Sequence, residues 1–415
     1  MTSTLTFLRE NTAWLAAGFL LTLTSSFGQT FFISIFAGEI RGAFGLSHGD
    51  WGAIYSAGTL VSGITMIWAG TLTDRFRVRE LIQVVLPFFA LACLAMAVAP
   101  GAWALPFVIF ALRLAGQGMT THIAIVAMGR WFVATRGRAL SVASLGITLG
   151  ESLMPLSFVA LLGVAGWRSL WLLAALLILC VVPVLLSLLR LERTPQADLD
   201  ASPSVGMEGR AWQRGEVLRH WLFWLILPLV LAPPFFVTSL FFQQVLLAEI
   251  KGIAHLSLVA LFPVFTVCAV TTMMVSGVAL DRLGTFRLLT FLLLPMACGL
   301  LTLSLAHSLP GMALGMALVG MTSGANATLP NAFWAEAYGT RYLGSIKAMA
   351  TSAMVFGSAI GPVVTGVAVD AGIGFETQLQ MMAGYCLIAM LLAAIGLRRA
   401  GRLLAPAGEV DVVGA

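Results

Sequence analysis

Apolar residues fill this chain in long runs that are separated by short polar segments. A hydrocarbon core of about 30 Å takes about 20 apolar residues to cross as a helix. Within hydrocarbon every backbone amide must be paired inside its own segment, so the runs predict helices. Twelve runs qualify, at residues 12–38, 51–73, 80–99, 103–129, 139–164, 169–190, 221–248, 254–280, 287–307, 310–337, 346–370 and 374–397.

Two short patterns recur along the chain with nearly the same spacing. Gly70–Arg75 reads G-x-x-x-D-R and returns as Gly277–Arg282, each at the polar end of the second run of its half. Glu39–Gly42 returns as Glu249–Gly252, 210 residues later. The repetition predicts two parallel six-helix bundles. The predicted parts are an N-terminal bundle at 1–190, a cytoplasmic linker at 191–219, a C-terminal bundle at 220–397 and a cytoplasmic tail at 398–415.

Composition agrees with a membrane protein, and the charge distribution orients it. The chain is 59% hydrophobic and 10% charged, whereas soluble domains carry about 25% charged residues. If both termini are cytoplasmic, 19 of the 23 basic residues fall in cytoplasmic segments, as the positive-inside rule requires. The net charge of +5 therefore reflects topology, and we expect no nucleic-acid partner. We predict a multi-pass protein of the cell membrane, in bacteria the inner membrane, with the lipid bilayer as its partner.

These motifs resemble those of the major facilitator superfamily. Gly70–Arg79 is similar to the family's signature between spans two and three, with Arg77 where the family usually has glycine. Arg113–Gly118 resembles its arginine motif in span four, and Gly166–Arg168 its outer turn between spans five and six. The resemblance implies an all-α integral membrane protein with twelve transmembrane helices in two six-helix bundles. It also implies secondary active transport by alternating access.

The segment after span four resembles that of one group within this superfamily. Trp131–Leu140 in part resembles the loop signature of monocarboxylate and oxalate–formate carriers. Span one departs from that group, because Ser26–Gly28 stands where the group has an acidic residue followed by glycine. The partial match suggests a small organic anion as the substrate.

Arg113 is the first candidate for contact with such a substrate. It lies about ten residues into its predicted span, near mid-membrane, where an arginine costs about 2.5–3.5 kcal/mol and should face water or a partner. Gln117 and Thr121 share its helix face. A guanidinium with hydrogen-bonding neighbours suits a carboxylate. A fixed ion pair between helices would also explain the position, so both roles stay open.

Glu151 in span five is the natural partner, because the rise per residue places it at a depth similar to that of Arg113. It is a candidate for carrying a coupling proton, and a static salt bridge to Arg113 is the alternative. Gln29, Gln243 and Asn326 are further candidates for lining a cavity. Such amides also bond between helices in membranes, so this assignment too has two readings.

The repeated G-x-x-x-D-R pattern predicts a conformational clamp. A carboxylate at a helix end can accept hydrogen bonds from the amide-rich start of a neighbouring helix. Plain stop-transfer charges would explain one copy of the pattern but not two matched copies. The predicted clamp residues are Gly70, Asp74, Arg75, Gly277, Asp281 and Arg282.

The predicted function is secondary active transport of a small organic anion, monocarboxylate-like, together with protons. The alternative is an exporter of amphiphilic compounds or drugs by proton antiport. The sequence contains no H-E-x-x-H motif and no C-x-x-C pair, so we expect no enzyme activity, cofactor or metal. It also contains no Walker-type phosphate-binding motif, so ATP is not the expected energy source. We expect the carrier to work as a monomer on a small-molecule substrate.

Overall fold

The computed structural model describes residues 4–132, 135–190, 205–339 and 341–403, and its regular structure in these ranges is helical. Within them, twelve segments are long and apolar enough to cross a membrane when one bent pair is counted as a single span. The predicted all-α membrane fold is therefore confirmed. We number these spans α1 to α12 in chain order.

The first six spans follow one another with short connections. Their bounds are α1 Thr12–Gly28 plus Thr30–Phe44, α2 His48–Ala69, α3 Val78–Ala97, α4 Ala102–Trp131, α5 Arg136–Leu162 and α6 Trp167–Leu188. A four-residue helix, Leu72–Arg75, stands between α2 and α3.

The last six spans are preceded by the short helix Arg214–Arg219. Their bounds are α7 Trp221–Phe242, α8 Phe262–Leu283, α9 Thr285–Leu305, α10 Leu309–Tyr338, α11 Leu343–Asp370 and α12 Phe375–Ala400. Span α9 is made of the helices Thr285–Thr290 and Leu294–Leu305, and two shorter helices, Gln244–Ile250 and His255–Val259, lie between α7 and α8.

The start of α2 shows why hydropathy alone misplaces helix ends. The apolar run predicts a start at residue 51, but the helix begins at His48. Ser47 accepts a hydrogen bond from the Asp50 backbone, and the Asp50 carboxylate accepts one from the Ser47 backbone, both at 3.0 Å. This capping box satisfies the first amides of the helix, so polar residues form its first turn.

α1 is broken in its middle. A 3₁₀ turn at Ser26–Gly28 leads into Gln29, whose backbone is extended, with φ −86° and ψ 157°. One α-helical turn, Thr30–Ile33, follows, and the two parts of the span meet at an angle of 47°. The break frees backbone carbonyls from helical hydrogen bonding, and such groups in a membrane need partners from neighbouring helices.

The described residues form two compact units, which do not coincide with the two halves of the sequence. The first unit draws on Met1–Leu199, Thr238–Pro263 and Ala359–Gly372, and the second on Asp200–Val237, Val264–Ser358 and Ile373–Ala415. The first unit thus contains the C-terminal end of α7, the segment preceding α8 and the end of α11. The division into parts at 1–190, 191–219, 220–397 and 398–415 stays a prediction.

The described part of the predicted linker, from residue 205, packs within the second unit. Trp212 is 4% exposed and donates its backbone N–H to the Tyr338 carbonyl at 3.1 Å. His220 lies beside Trp212, with ring centroids 4.6 Å apart. Burial lowers the pKa of His220, and the charge of Arg210 acts in the same direction while Glu208 opposes it. This part of the linker is therefore an ordered contact on the end of α10.

Candidate functional site

Arg113 occupies the centre of the candidate site. The segment Arg113–Thr120 is a π-helix within α4, a deviation that often marks functional positions. The side chain is only 2% exposed. Its Nη1 donates to the Gly28 carbonyl at 3.2 Å and to Thr30 Oγ1 at 3.3 Å. The guanidinium therefore reaches the carbonyl that the break in α1 releases.

Two glycines let α1 and α4 come close enough for these bonds. A Cβ on Gly28 would overlap the Leu112 carbonyl oxygen and would lie 2.8 Å from the Gly116 Cα. A Cβ on Gly116 would lie 2.7 Å from the Gly28 Cα. Because these neighbours are backbone atoms, they cannot turn aside as a flexible side chain would. The crossing of the two helices therefore requires glycine on both sides.

Tyr55 of α2 completes the surroundings of the cation and was not predicted from the sequence. Its hydroxyl donates to Thr30 Oγ1 at 2.7 Å, and the Arg113 Cζ lies 5.4 Å from the centroid of its ring. An aromatic ring at this distance attracts a cation. The Nε of Arg113 is buried and has no hydrogen-bond partner in the described part of the chain. The Arg113 guanidinium is therefore a buried cation, and some of its N–H groups have no acceptor among the described residues.

The salt bridge between Arg113 and Glu151, the alternative interpretation of both residues, does not form between these two described residues. Arg113 bonds to α1 instead, and Glu151, half-buried in α5, makes no hydrogen bond or ion pair to any described residue. The residue next to it, Gly150, contacts Ser26 closely enough that a Cβ would overlap the Ser26 hydroxyl. Equal depth along two helices did not bring the charges together, because depth does not fix the direction in which a side chain points.

The polar residues predicted near Arg113 differ in whether their side chains form hydrogen bonds. Gln117 is half-buried, and its amide makes no hydrogen bond to the described residues. Thr121 Oγ1 lies 3.5 Å from the Gly116 carbonyl of its own helix. Gln29, at the break of α1, is 8% exposed, and its side-chain amide likewise lacks a partner among the described residues. Two amides near the buried cation therefore keep their hydrogen-bonding capacity for another group.

Two predicted residues lie elsewhere. Gln243 Nε2 donates to Thr365 Oγ1 at 3.2 Å and so connects the end of α7 to α11, which is the interhelical reading of that residue. Asn326 belongs to the second unit, where its Oδ1 is buried without a hydrogen-bond partner among the described residues. A cavity-lining role for Asn326 stays a prediction.

The first copy of the repeated loop is fastened to α4. His122 Nε2 lies 3.2 Å from the Gly70 carbonyl and 3.4 Å from Thr73 Oγ1. Arg130 donates through Nη1 to the Thr73 carbonyl at 2.7 Å. The loop after α2 is therefore held in place by two side chains of α4, which the pattern of the loop itself did not indicate.

The carboxylates on which the predicted clamp depends, Asp74 and Asp281, have side chains that lie outside the described part of the structure. Of the other clamp residues, Arg75 and Arg282 are exposed and Gly277 is half-buried. The clamp on this side of the bundle stays a prediction.

A carboxylate that does cap a neighbouring helix is found at the opposite end of α2. Asp370, the last residue of α11, accepts from the backbone N–H of His48 at 3.2 Å and of Gly49 at 2.7 Å. A negative charge at a helix N-terminus is favourable because the first amides have no helical partner. The sequence shows Asp370 only as a charge at a span end, with no signal for this contact.

Comparison with known proteins gives a consistent picture. The family model of the Major Facilitator Superfamily matches residues 18–362 and 260–410. Two crystal structures of a bacterial homologue of the human lysosomal transporter Spinster, inward-facing and either unoccupied or occupied, are similar in fold, each with a TM-score of 0.71. Their identities to this chain are 15% and 16%, covering 96% and 95% of it and 99% and 98% of theirs. A comparison with curated protein sequences finds no match.

Proposed function

Because this chain belongs to the major facilitator superfamily and is a multi-pass membrane transporter, we propose that it carries a small organic anion of the monocarboxylate class together with protons. Transport proceeds by alternating access in the cell membrane, in bacteria the inner membrane, with both termini in the cytoplasm and one chain sufficient for function. The class of anion follows from the chemistry of one buried side chain.

That side chain is Arg113, and its unmet charge is the observation that supports the proposal. Its neighbours among the described residues are a carbonyl, a hydroxyl and an aromatic ring, and no carboxylate forms an ion pair with it. An uncompensated charge near mid-membrane is unfavourable, and a carboxylate ligand would supply the missing negative charge. The guanidinium has five N–H donors, and among the described residues only those on Nη1 form hydrogen bonds.

Glu151 supports the proton part of the proposal. Its carboxyl group, half-buried and without a partner in the described part of the chain, is free to take up and release a proton. A carrier that moves an anion with a proton needs a protonatable group that no permanent ion pair holds ionised. The absence of a salt bridge to Arg113 leaves each group available for one of the two cargoes.

The test of the anion site is uptake of radiolabelled L-lactate, pyruvate and formate into proteoliposomes, with Arg113→Lys as the variant. Lysine keeps the charge but cannot offer a planar fork to a carboxylate. Loss of one charge-assisted hydrogen bond of about 1.5–3 kcal/mol predicts roughly 10- to 100-fold weaker uptake. Arg168→Lys is the matched control, because Arg168 also binds a backbone carbonyl, that of Ala97 at 2.8 Å. Equal uptake by both variants would refute the proposed anion site.

The test of proton coupling is Glu151→Gln. This variant should fail to accumulate the acid against its gradient when a pH gradient is imposed. It should still exchange labelled for unlabelled acid at the wild-type rate, because exchange requires no net proton movement. Uphill accumulation by the variant would show that Glu151 does not carry the coupling proton.

The exporter of amphiphilic compounds depends on an apolar, aromatic cavity. Phe32 and Phe242, 0% and 2% exposed, are engaged in ring contacts with other buried aromatic residues. This packing does not favour the exporter. Efflux of a lipophilic cation such as ethidium from the same proteoliposomes, unchanged in Arg113→Lys, would nevertheless make it the better assignment.

A further inference from the structure

We infer that Ser34 and Gln244 form a clasp between the two sequence repeats, and that the one-turn segment Thr30–Ile33 links this clasp to Arg113. The clasp comprises these two side chains and the backbone carbonyls of Phe31 and Phe241. It closes one end of the first unit, and it must open when that end opens. Its dependence on substrate rests on the proposed anion site.

The clasp follows the internal duplication. The offset of 210 that relates Glu39 to Glu249 also relates Ser34 to Gln244 and Phe31 to Phe241. Gln244 Nε2 donates to the Phe31 carbonyl at 3.2 Å, and the Ser34 hydroxyl lies 2.7 Å from the Phe241 carbonyl. The two contacts are therefore equivalent, because each side chain lies against the carbonyl of the residue three positions before its counterpart. This reciprocity is the mark of a self-complementary contact about a twofold axis.

The two side chains also contact each other. Gln244 Nε2 donates to Ser34 Oγ at 2.7 Å, and the residues are 1% and 0% exposed. The Gln244 oxygen is engaged too, since His255 Nε2 lies 3.3 Å from it. Breaking the clasp inside the protein would leave several buried polar groups unpaired, each at a cost of about 1–3 kcal/mol. Opening must therefore be accompanied by entry of water or by new partners.

Ser34 has two possible acceptors for its single proton. Its hydroxyl lies 2.6 Å from the Thr30 carbonyl of its own segment and 2.7 Å from the Phe241 carbonyl of the other repeat. A hydroxyl donates one hydrogen bond at a time. The same serine can thus be satisfied within α1 alone or across the clasp, which makes it suited to a contact that opens and closes.

Thr30 connects this contact to the candidate site. Its Oγ1 receives hydrogen bonds from Arg113 Nη1 at 3.3 Å and from the Tyr55 hydroxyl at 2.7 Å. The segment Thr30–Ile33 is a single helical turn, about 6 Å long at 1.5 Å per residue. It is bounded by the extended Gln29 on one side and by the 3₁₀ turn Ser34–Phe36 on the other. A short turn between two breaks moves as one body, so a shift at its start reaches Ser34.

A bound anion supplies the cause of such a shift. Its carboxylate competes with Gly28 and Thr30 for the donors of Arg113, and a charged acceptor is the stronger one. Loss of the Arg113 bond leaves Thr30 Oγ1 held by the Tyr55 hydroxyl alone, and this loosens the start of the segment and weakens the position of Ser34 against Gln244. Occupancy of the site thereby favours opening of the clasp, because the unoccupied state uses Arg113 to hold the segment in place.

The experiment measures exposure of the clasped end by thiol labelling. The five native cysteines are replaced by serine or alanine, and Ala37→Cys, at a site 5% exposed and just after Ser34–Phe36, is the reporter. The rate of maleimide modification is measured in membranes. Ser34→Ala and Thr30→Val should each raise the rate about three- to tenfold, because each removes about one net hydrogen bond. Gln244→Leu should raise it at least as much, because it removes the contacts with Phe31, Ser34 and His255. The matched control is Thr24→Val, since Thr24 is also buried in α1 but its hydroxyl bonds, among the described residues, only to the Leu20 carbonyl of its own helix.

The link between Thr30 and the clasp is tested by combining two substitutions in one variant. In Thr30→Val/Ser34→Ala the increase should be less than the product of the two single increases, because both act on one clasp. Wild-type labelling in Thr30→Val, or a full product in the double variant, would overturn the link. Thermal unfolding of each purified variant identifies any that fails to fold, and Thr30→Val, nearly isosteric, carries the test if Gln244→Leu does not fold.

Labelling and uptake together separate this inference from the proposed function. If Arg113→Lys loses uptake while Thr30→Val labels at the wild-type rate, the anion site stands and the link fails. If Arg113→Lys labels faster but transports normally, the link stands and the anion site fails.

Discussion

The crossing of α1 and α4 at Gly28 gives the sharpest prediction, because a single methyl group tests the geometry of the whole site. In Gly28→Ala the new Cβ would overlap the Leu112 carbonyl and would lie 2.8 Å from the Gly116 Cα and 3.2 Å from the Gln117 backbone nitrogen. All three contacts are to backbone atoms, so relief requires the helices to separate. Overpacking of a tight contact costs about 1–3 kcal/mol.

The separation also predicts a functional effect. The Gly28 carbonyl accepts from Arg113 at 3.2 Å, and a shift of α1 by several tenths of an ångström lengthens or breaks that bond. Gly28→Ala should therefore lose about 1–3 kcal/mol of unfolding free energy and should also alter anion affinity. Stability is measured by reversible SDS-induced unfolding of the purified protein, and affinity by the substrate dependence of uptake.

Gly42→Ala in the same span is the control. A Cβ at Gly42 meets no atom within 4 Å, and alanine favours a helix over glycine by up to about 1 kcal/mol. The control should thus be neutral or stabilising, with unchanged uptake. A Gly28→Ala variant as stable as Gly42→Ala would refute the close crossing of α1 and α4.

Three further predictions concern the ends of the helices. Asp370→Ala should destabilise the protein by about 0.5–1 kcal/mol in the same unfolding assay, because two amides of α2 lose their cap, whereas the exposed Glu10→Ala should have no effect. Asp74→Asn should slow turnover in the uptake assay while leaving substrate affinity unchanged, and normal turnover would remove the clamp role. His220, whose pKa is lowered by burial, binds fewer protons folded than unfolded, so its contribution to stability is lost as pH falls below about 6.5. Melting temperatures between pH 8 and pH 5 should fall less for His220→Gln than for wild type, and parallel curves would contradict this.

The membrane fold was predictable because bilayer thickness imposes a length and a composition on every span. The apolar run at 51–73 located α2, yet the helix starts at His48 because Ser47 and Asp50 cap it. Capping involves polar side chains that a hydropathy pattern assigns to a loop. The hydropathy of the sequence therefore predicted that a span is present, but the residue at which the helix begins depends on individual hydrogen bonds.

The sequence predicted that Arg113 is buried, but it did not predict which groups bond to it. The cost of a charge at mid-membrane indicated that Arg113 is buried away from lipid, and it is 2% exposed. Its partners are a freed carbonyl at Gly28 and the hydroxyl of Thr30, and both depend on a break in α1 that leaves the apolar run uninterrupted. Glu151 was expected as the partner because charge and depth can be read along a sequence, but the direction of a side chain cannot.

The proposed clasp joins residues that the sequence repeat relates to each other, whereas Arg113 of the candidate site has no counterpart in the second repeat. The offset of 210 relates Ser34 to Gln244, so the two side chains that meet in the proposed clasp are counterparts in the sequence repeat. Arg113 has no such counterpart, because the offset of 207 that relates Gly70 to Gly277 leads to Gly320, and α10 carries no charged residue before Glu336. The buried arginine is therefore present in one repeat only, whereas the proposed clasp uses one side chain from each repeat. In the proposed link a single bound anion is therefore enough to weaken the clasp, because only one repeat carries the arginine that bonds to Thr30.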